Sequence, residues 1–136
     1  MLRYTIGDVL KMEWSGNEYQ IYVFRHNESR AVLYVGQSMH PILRVRQHMS
    51  GTSQRIGIIL RECMPDTLNW LVEICGVAEC DAVVQMYAKE DYEEYRRCQR
   101  SYSLIHNSAL IAERAMIANL KPPYNHTSIQ KRRARE

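Results

Sequence analysis

The stretch from Gln20 to His48, QIYVFRHNESRAVLYVGQSMHPILRVRQH, leaves the chain few ways to fold. Two runs rich in β-branched and aromatic residues, Tyr19 to Phe24 and Ala31 to Val35, flank the polar segment His26 to Arg30, which reads as a hairpin loop. A loop centred on Glu28 puts Tyr22 directly opposite Tyr34 on one face, with Cβ atoms about 4.5 to 5.5 Å apart. The simplest account of that pair is a stabilising cross-strand aromatic contact. Gly36 follows the second strand, where a missing side chain permits unusual backbone angles or close approach of another group. Pro41 then suits the first turn of a helix that runs to about Met49 and is ended by Ser50-Gly51. Arg44 and His48, four positions apart, share one face of that helix, and the hairpin delivers it beside the tyrosines. Taken singly, the first reads as a solvated arginine and the second as a surface histidine.

A chain of 136 residues at 46% hydrophobic is one domain with room for a core, but not for a catalytic domain plus a separate recognition domain. No apolar run approaches the roughly 18 residues of a membrane span, and MLRYTIGDVLKMEW lacks the pattern of a signal peptide. The expected location is therefore cytoplasmic. Cys63, Cys75, Cys80 and Cys98 form no CxxC pair, so reduced, mostly buried thiols are expected rather than a zinc ribbon or a redox motif.

Outside the hairpin, residues 1–18 carry a short alternating patch (Tyr4, Ile6, Val9, Leu10), either an added strand or an arm, closed by a Ser15-Gly16-Asn17 turn. A second helix is expected over about Gln54 to Cys63, with Ile56, Ile59 and Leu60 buried, and a third strand over Leu68 to Cys75. From Glu79 to Arg100 the periodicity predicts one longer helix, burying Val84, Tyr87, Ala88, Tyr95 and Cys98 and pairing Glu93 with Arg97. A last helix, capped by Asn107 or Ser108 and stopped by Pro122-Pro123, has Ala109, Leu110, Met116, Ile117 and Leu120 as its core stripe. Glu113 falls inside that stripe. A carboxylate on an apolar face is unfavourable unless it is paired, hydrogen-bonded or metal-bound. Two explanations stay open: a buried salt bridge, for instance with Arg44, or a ligand for a hard divalent cation.

The formal charge of +3 is unevenly spread. Residues 25–61 hold six arginines against Glu28 alone, a net +5; residues 62–94 hold nine acids against Lys89, a net −8; residues 95–136 hold nine bases against two acids, a net +7. A polyanionic partner would meet the first and last of these, with the acidic middle facing away, although charge runs of this kind are most often plain solvated faces. The tail from 126 to 136, with Lys131, Arg132, Arg133 and Arg135, is expected to be disordered.

Taken together these residues resemble the GIY-YIG nuclease family. Gln20-Ile21-Tyr22 stands where its first motif would be, and Tyr34-Val35-Gly36 matches the second. Arg44 follows that glycine by eight positions and His48 follows Arg44 by four. Glu113 lies in a helix ending LKPPYN, with Asn125 twelve positions on, similar to the family's closing pattern. The resemblance covers about residues 19–125. Gln20 replaces the glycine of the first motif, and the segment 79–106 is a helical insertion relative to a minimal member.

The resemblance implies an α/β (α+β) fold, a small mixed three-stranded sheet flanked by helices. It also implies a metal-dependent DNA endonuclease that leaves a 5′-phosphate and a 3′-hydroxyl. Under it Tyr22 is the candidate general base, with His48 easing removal of its proton, and Tyr34 orients the water or the phosphate, although the choice of Tyr22 or Tyr34 as base stays open. Arg44 contacts the scissile phosphate, Glu113 holds Mg²⁺ (or Mn²⁺), and Gly36 and Asn125 support the site. Arg46 and the basic tail would add contacts to double-stranded or branched DNA. Cutting both strands from one site would require a homodimer or two successive nicks by a monomer. The alternative is a degenerate module that binds nucleic acid or protein without cutting, although such a module is free to lose Tyr22, Arg44 or Glu113, and all three are present.

Overall fold

The computed structural model describes residues 2–13 and 20–125. The hairpin forms from β2 (Gln20–Arg25) and β3 (Val32–Ser38), joined by a tight loop in which Arg30 takes a left-handed conformation at φ 63°. Two further strands complete the sheet, β1 (Leu2–Thr5) at one edge and β4 (Leu71–Cys75) in the interior. The order is β1-β4-β2-β3, with every neighbouring pair antiparallel. The fold is therefore α+β, but the sheet has four antiparallel strands rather than three mixed ones. The extra strand comes from the N-terminal patch, whose chain continues into the short helix α1 (Ile6–Val9). The Ser15-Gly16-Asn17 turn and the basic tail lie outside the described residues.

Each face of the sheet carries its own core, because alternate residues of a strand point to opposite sides. On one face Tyr22, Phe24, Val72 and Ile74 pack with α1, α2 (Pro41–Ser50) and α3 (Arg55–Glu62). On the other, Ile21, Val23, Val35 and Cys75 pack with α4 (Val77–Tyr87), α5 (Tyr92–Gln99) and α6 (Ile105–Leu120). The acid-rich helices α4 and α5 thus lie across the sheet from α2.

Several boundaries differ from expectation. The long helix expected over 79–100 is two, broken at Ala88 (φ −144°, ψ 53°) and restarted through a 3-10 turn, Lys89–Asp91. The break lets Val84 and Ala88 as well as Tyr95 and Cys98 turn inward, while Tyr87 is left exposed. Its ion pair joins Glu94, not Glu93, to Arg97. Strand β4 starts three residues late because Asp66–Asn69 makes a 3-10 turn, held where the buried Thr67 hydroxyl donates to the Leu60 carbonyl at 2.7 Å. Helix α6 begins at Ile105, ahead of both expected caps, since the 3-10 turn Tyr102–Leu104 runs directly into it. Its buried face is Ser108, Ala109, Ala112, Ala115 and Met116, small residues that bring the helix close to the sheet.

One polar feature of the core was not expected. Glu73, on β4 beside Val23, is buried, and its carboxylate accepts from the Arg3 Nε at 2.8 Å and from the Arg25 Nε at 2.5 Å. The two guanidiniums, hydrogen-bonded and adjacent, hold that carboxyl below its ordinary range in spite of burial. Burial, with the negative charges of Glu73 and Glu79 adding to it, pushes the Cys75 thiol up to about 11, and burial, with Cys75 and Glu79 adding to it, pushes Cys80 up to about 12, so neither is a nucleophile near neutrality. Among the described residues no helix is long and apolar enough to cross a membrane.

Candidate active site

The observed register pairs Tyr22 with Gly36 and Phe24 with Tyr34, two residues away from the expected pairing of Tyr22 with Tyr34. The loop, closed by the pairing of Arg25 with Val32, is centred between Glu28 and Ser29 and supplies one residue of the slip, and the irregularity between Phe24 and Arg25 supplies the other. A shift of two preserves the face, so Tyr22 and Tyr34 are diagonal neighbours with ring centroids 6.1 Å apart, and Phe24 stacks on Tyr34 at 5.7 Å.

The new partner explains Gly36. A Cβ built there would lie 2.4 Å from the Tyr22 Cζ and 2.6 Å from its hydroxyl oxygen, so the Tyr22 ring occupies the space a side chain would fill. Tyr22 is only 2% exposed, and its hydroxyl reaches the Nε2 of His48 at 3.3 Å. His48 is not a surface residue. It is fully buried on the inner face of α2, and its other ring nitrogen, Nδ1, meets the Thr52 hydroxyl at 3.0 Å.

The electrostatics tie these groups together. Burial holds the Tyr22 phenol well above its ordinary value, with Tyr34 adding to that and Arg44 opposing it. Tyr34 is raised by burial and then by the negative charge of Glu113, and its hydrogen bond with Tyr22 and the charge of Arg44 draw it back. Burial, then Arg44 and Arg61, lowers His48 to about 4, so the imidazole is neutral at pH 7. Burial pushes the Glu113 carboxyl up to about 7, drawn back only by Arg114. Among the described residues no ion pair or hydrogen bond engages Glu113, so the salt bridge to Arg44 is not formed. Arg44 instead donates to Gln47 at 3.2 Å, and its charge acts on Tyr22, Tyr34 and His48 alike.

Helices α2 and α6 lie on opposite faces of the sheet, yet their charged groups act on the same two phenols. Strand β3 makes this possible because it is an edge strand. Its open edge is covered by the segment after α6: the Tyr124 amide donates to the Leu33 carbonyl at 3.1 Å. The Asn125 side-chain amide both accepts from the Val35 N–H and donates to the Val35 carbonyl, each at 2.7 Å. Asn125 thus ties the end of the Glu113 helix to the strand carrying Tyr34 and satisfies backbone groups that would otherwise be free.

Tyr22, Tyr34, Gly36 and His48 therefore lie together, and the charges of Arg44 and Glu113 bear on the two phenols. Arg46 does not join them: two positions from Arg44 it points about 200° away around the helix, and its guanidinium donates to the Met12 carbonyl at 2.7 Å. Lys131, Arg132, Arg133 and Arg135 lie outside the described residues. Residues that sequence reasoning did not single out are Thr52, Gly57 and Arg61, which surround His48; the one available signal was a glycine within the apolar pattern of α3.

The oxygen donor of Glu113 suits a hard divalent cation such as Mg²⁺, which keeps most of its water and often takes one protein carboxylate. Among the described residues no three His, Cys, Asp or Glu side chains cluster as a zinc site would require. Compared with known proteins, the chain matches no family model, no curated protein and no solved structure.

Proposed function

We propose that this protein is a metal-dependent DNA endonuclease of the GIY-YIG type, hydrolysing phosphodiester bonds to leave a 5′-phosphate and a 3′-hydroxyl. The observation that carries the reading is a half-buried carboxylate, Glu113, that no hydrogen bond or ion pair engages among the described residues and whose charge acts on the same two phenols as that of Arg44. A structural carboxylate in that position would be paired, as Glu73 is. The order and spacing of these residues along the chain also resemble that family.

The chain's own groups divide the work as follows. The planar guanidinium of Arg44 receives the scissile phosphate and offsets charge as it builds on the phosphorus oxygens. Tyr34, the more exposed of the two phenols, orients the attacking water. Tyr22 takes the water's proton on its hydroxyl oxygen as its own proton passes to the vacant nitrogen of His48, and the resulting hydroxide attacks phosphorus. The P–O bond to the 3′-oxygen breaks, and solvent supplies that oxygen with its proton. A phenol with a raised pKa is a weak base alone, which is why the neutral imidazole behind it matters. A phosphate anion at Arg44 removes one of the two positive charges that depress His48, so substrate binding itself makes the imidazole a better acceptor. Glu113 would hold the divalent ion, whose contribution is Lewis-acid stabilisation of the leaving oxygen.

Supercoiled plasmid incubated with the purified protein and Mg²⁺ or Mn²⁺ tests the proposal. Nicking is expected from the wild type and not from Glu113→Ala. No nicking by folded wild type, or equal nicking by the variant, overturns it; plasmid binding that persists in EDTA with no cutting would instead identify a non-catalytic binding module.

A further inference from the structure

The imidazole of His48 has two partners, and the surroundings of the second one determine what the first can do. Nε2 faces the Tyr22 hydroxyl at 3.3 Å and Nδ1 faces the Thr52 hydroxyl at 3.0 Å. A neutral imidazole carries one proton, so one nitrogen donates and the other accepts. We propose that Thr52, clamped by Arg61, is a positioning residue that holds His48 with its proton on Nδ1, leaving the Nε2 lone pair aimed at the Tyr22 hydroxyl. The inference rests on the nuclease reading for its purpose, but not for its geometry.

Three observations support it. First, Arg61 fixes the backbone at Thr52. Arg61 bridges the end of α2 to it, with Nη1 donating to the His48 carbonyl at 2.6 Å and Nη2 to the Thr52 carbonyl at 2.9 Å. The His48 carbonyl lies in the last turn of α2, where helical carbonyls lack internal partners, so the clamp also completes that helix end. A β-branched side chain on a backbone held in this way has little rotamer freedom.

Second, the helix opposite has made room for this hydroxyl. Gly57 is buried within α3, where glycine is less favourable than alanine. A Cβ there would stand 2.4 Å from the Thr52 Oγ1, 3.1 Å from the His48 carbonyl oxygen and 3.2 Å from the Arg61 Nη1. Any side chain at position 57 would therefore disturb all three members of the clamp.

Third, only this tautomer lets every polar group serve as the chemistry requires. The buried Tyr22 phenol keeps its proton at rest beside two neighbours, the Tyr34 hydroxyl and Nε2, and of these only Nε2 can take that proton to become a cation. Thr52 accepts from Nδ1–H and, being half-buried, can direct its own proton outward. When Nε2 then takes the proton from Tyr22, the Nδ1–H to Thr52 bond is already in place and nothing has to reorient. In the opposite tautomer Nε2–H would donate to Tyr22, and the imidazole could receive no proton from it.

Nitrogen-15-edited NMR of the His48 ring in the full-length protein tests this without reference to cleavage. The wild type is expected to show a protonated Nδ1 and an unprotonated Nε2 at pH 7. Thr52→Ser should keep that signature, whereas Thr52→Val and Gly57→Ala should lose it. In plasmid cleavage Thr52→Val should lower kcat about 10- to 100-fold with KM unchanged, and Thr52→Ser should restore it. A wild-type spectrum with the proton on Nε2 overturns the proposal even if no variant folds, and so does a Thr52→Val spectrum identical to the wild type. Should the wild type show the expected tautomer yet cut no DNA, the nuclease reading fails and the positioning of His48 by Thr52 stands.

Discussion

Replacing Glu113 by glutamine is expected to lower strand cleavage about a thousandfold, since the ion's charge stabilisation is worth several kcal/mol and each 1.36 kcal/mol is a factor of ten. The same change is expected to make the protein more stable. Burial raises the Glu113 carboxyl from 4.5 to about 7, so the folded state prefers it protonated. Below pH 4.5 folded and unfolded chains both bind that proton, and the residue exacts no penalty. As pH climbs from there to 7 the unfolded chain releases the proton and the folded one retains it, so stability falls; above 7 the full penalty persists. Glu113→Gln removes it, gaining roughly 1–2 kcal/mol at pH 8 after allowance for partial exposure, and gaining nothing at pH 4. Thermal melts across that range read the effect directly. Mg²⁺ should raise the melting temperature of the wild type at pH 8 and leave Glu113→Gln unmoved. Wild-type affinity for Mn²⁺, followed by calorimetry, should weaken about tenfold per pH unit below 7 as protons compete for the carboxylate.

Gly36→Ala is expected to damage fold and site together. The added methyl group would sit 2.4 Å from the Tyr22 Cζ, and the ring cannot swing aside because it is packed among Phe24, Tyr34 and the residues of α2 and α3. Overpacking of this kind costs roughly 1–3 kcal/mol, measurable by urea denaturation. Because the relief must come from moving Tyr22, its hydroxyl should leave His48, and the residual folded protein should cleave more slowly than stability alone explains. Unchanged stability would mean that the Tyr22 ring does not cross Gly36.

What the sequence reveals and what it conceals follow from the range of the interactions concerned. The hairpin, the Pro41 start of α2, the apolar stripe of α3 and the placing of Glu113 on the inner side of α6 are local patterns of period two or 3.6, and local patterns are legible. The pairing of Tyr22 is not legible, because the irregularity at Phe24/Arg25 and the left-handed Arg30 are turn geometry with no residue signature strong enough to read. A difference of two residues keeps both tyrosines on one face of the sheet. The break at Ala88 carries no proline or glycine; it answers to the packing of α4 and α5 on α6, which is tertiary. The burial of Glu73 likewise becomes intelligible only when β1 is known to lie beside β4, bringing Arg3 across from it. His48 read alone looks like a surface residue. It is buried on the same face of α2 as Ile42 and Val45, and its partners Thr52 and Arg61 reach it from beyond the end of its own helix.

The most direct test of the site as a whole is single-turnover cleavage of an end-labelled duplex by wild type and Tyr22→Phe, with Mg²⁺ present and both proteins shown to be folded. Phenylalanine keeps the ring that fills the space over Gly36 and removes only the hydroxyl that meets His48. The expected result is cleavage by the wild type to ends that a ligase reseals, and a rate about 10²- to 10⁴-fold lower for the variant. No cleavage by the wild type, ends bearing a 3′-phosphate, or equal rates for the two proteins would contradict the assignment of Tyr22, and with it the phosphodiesterase reading of the site.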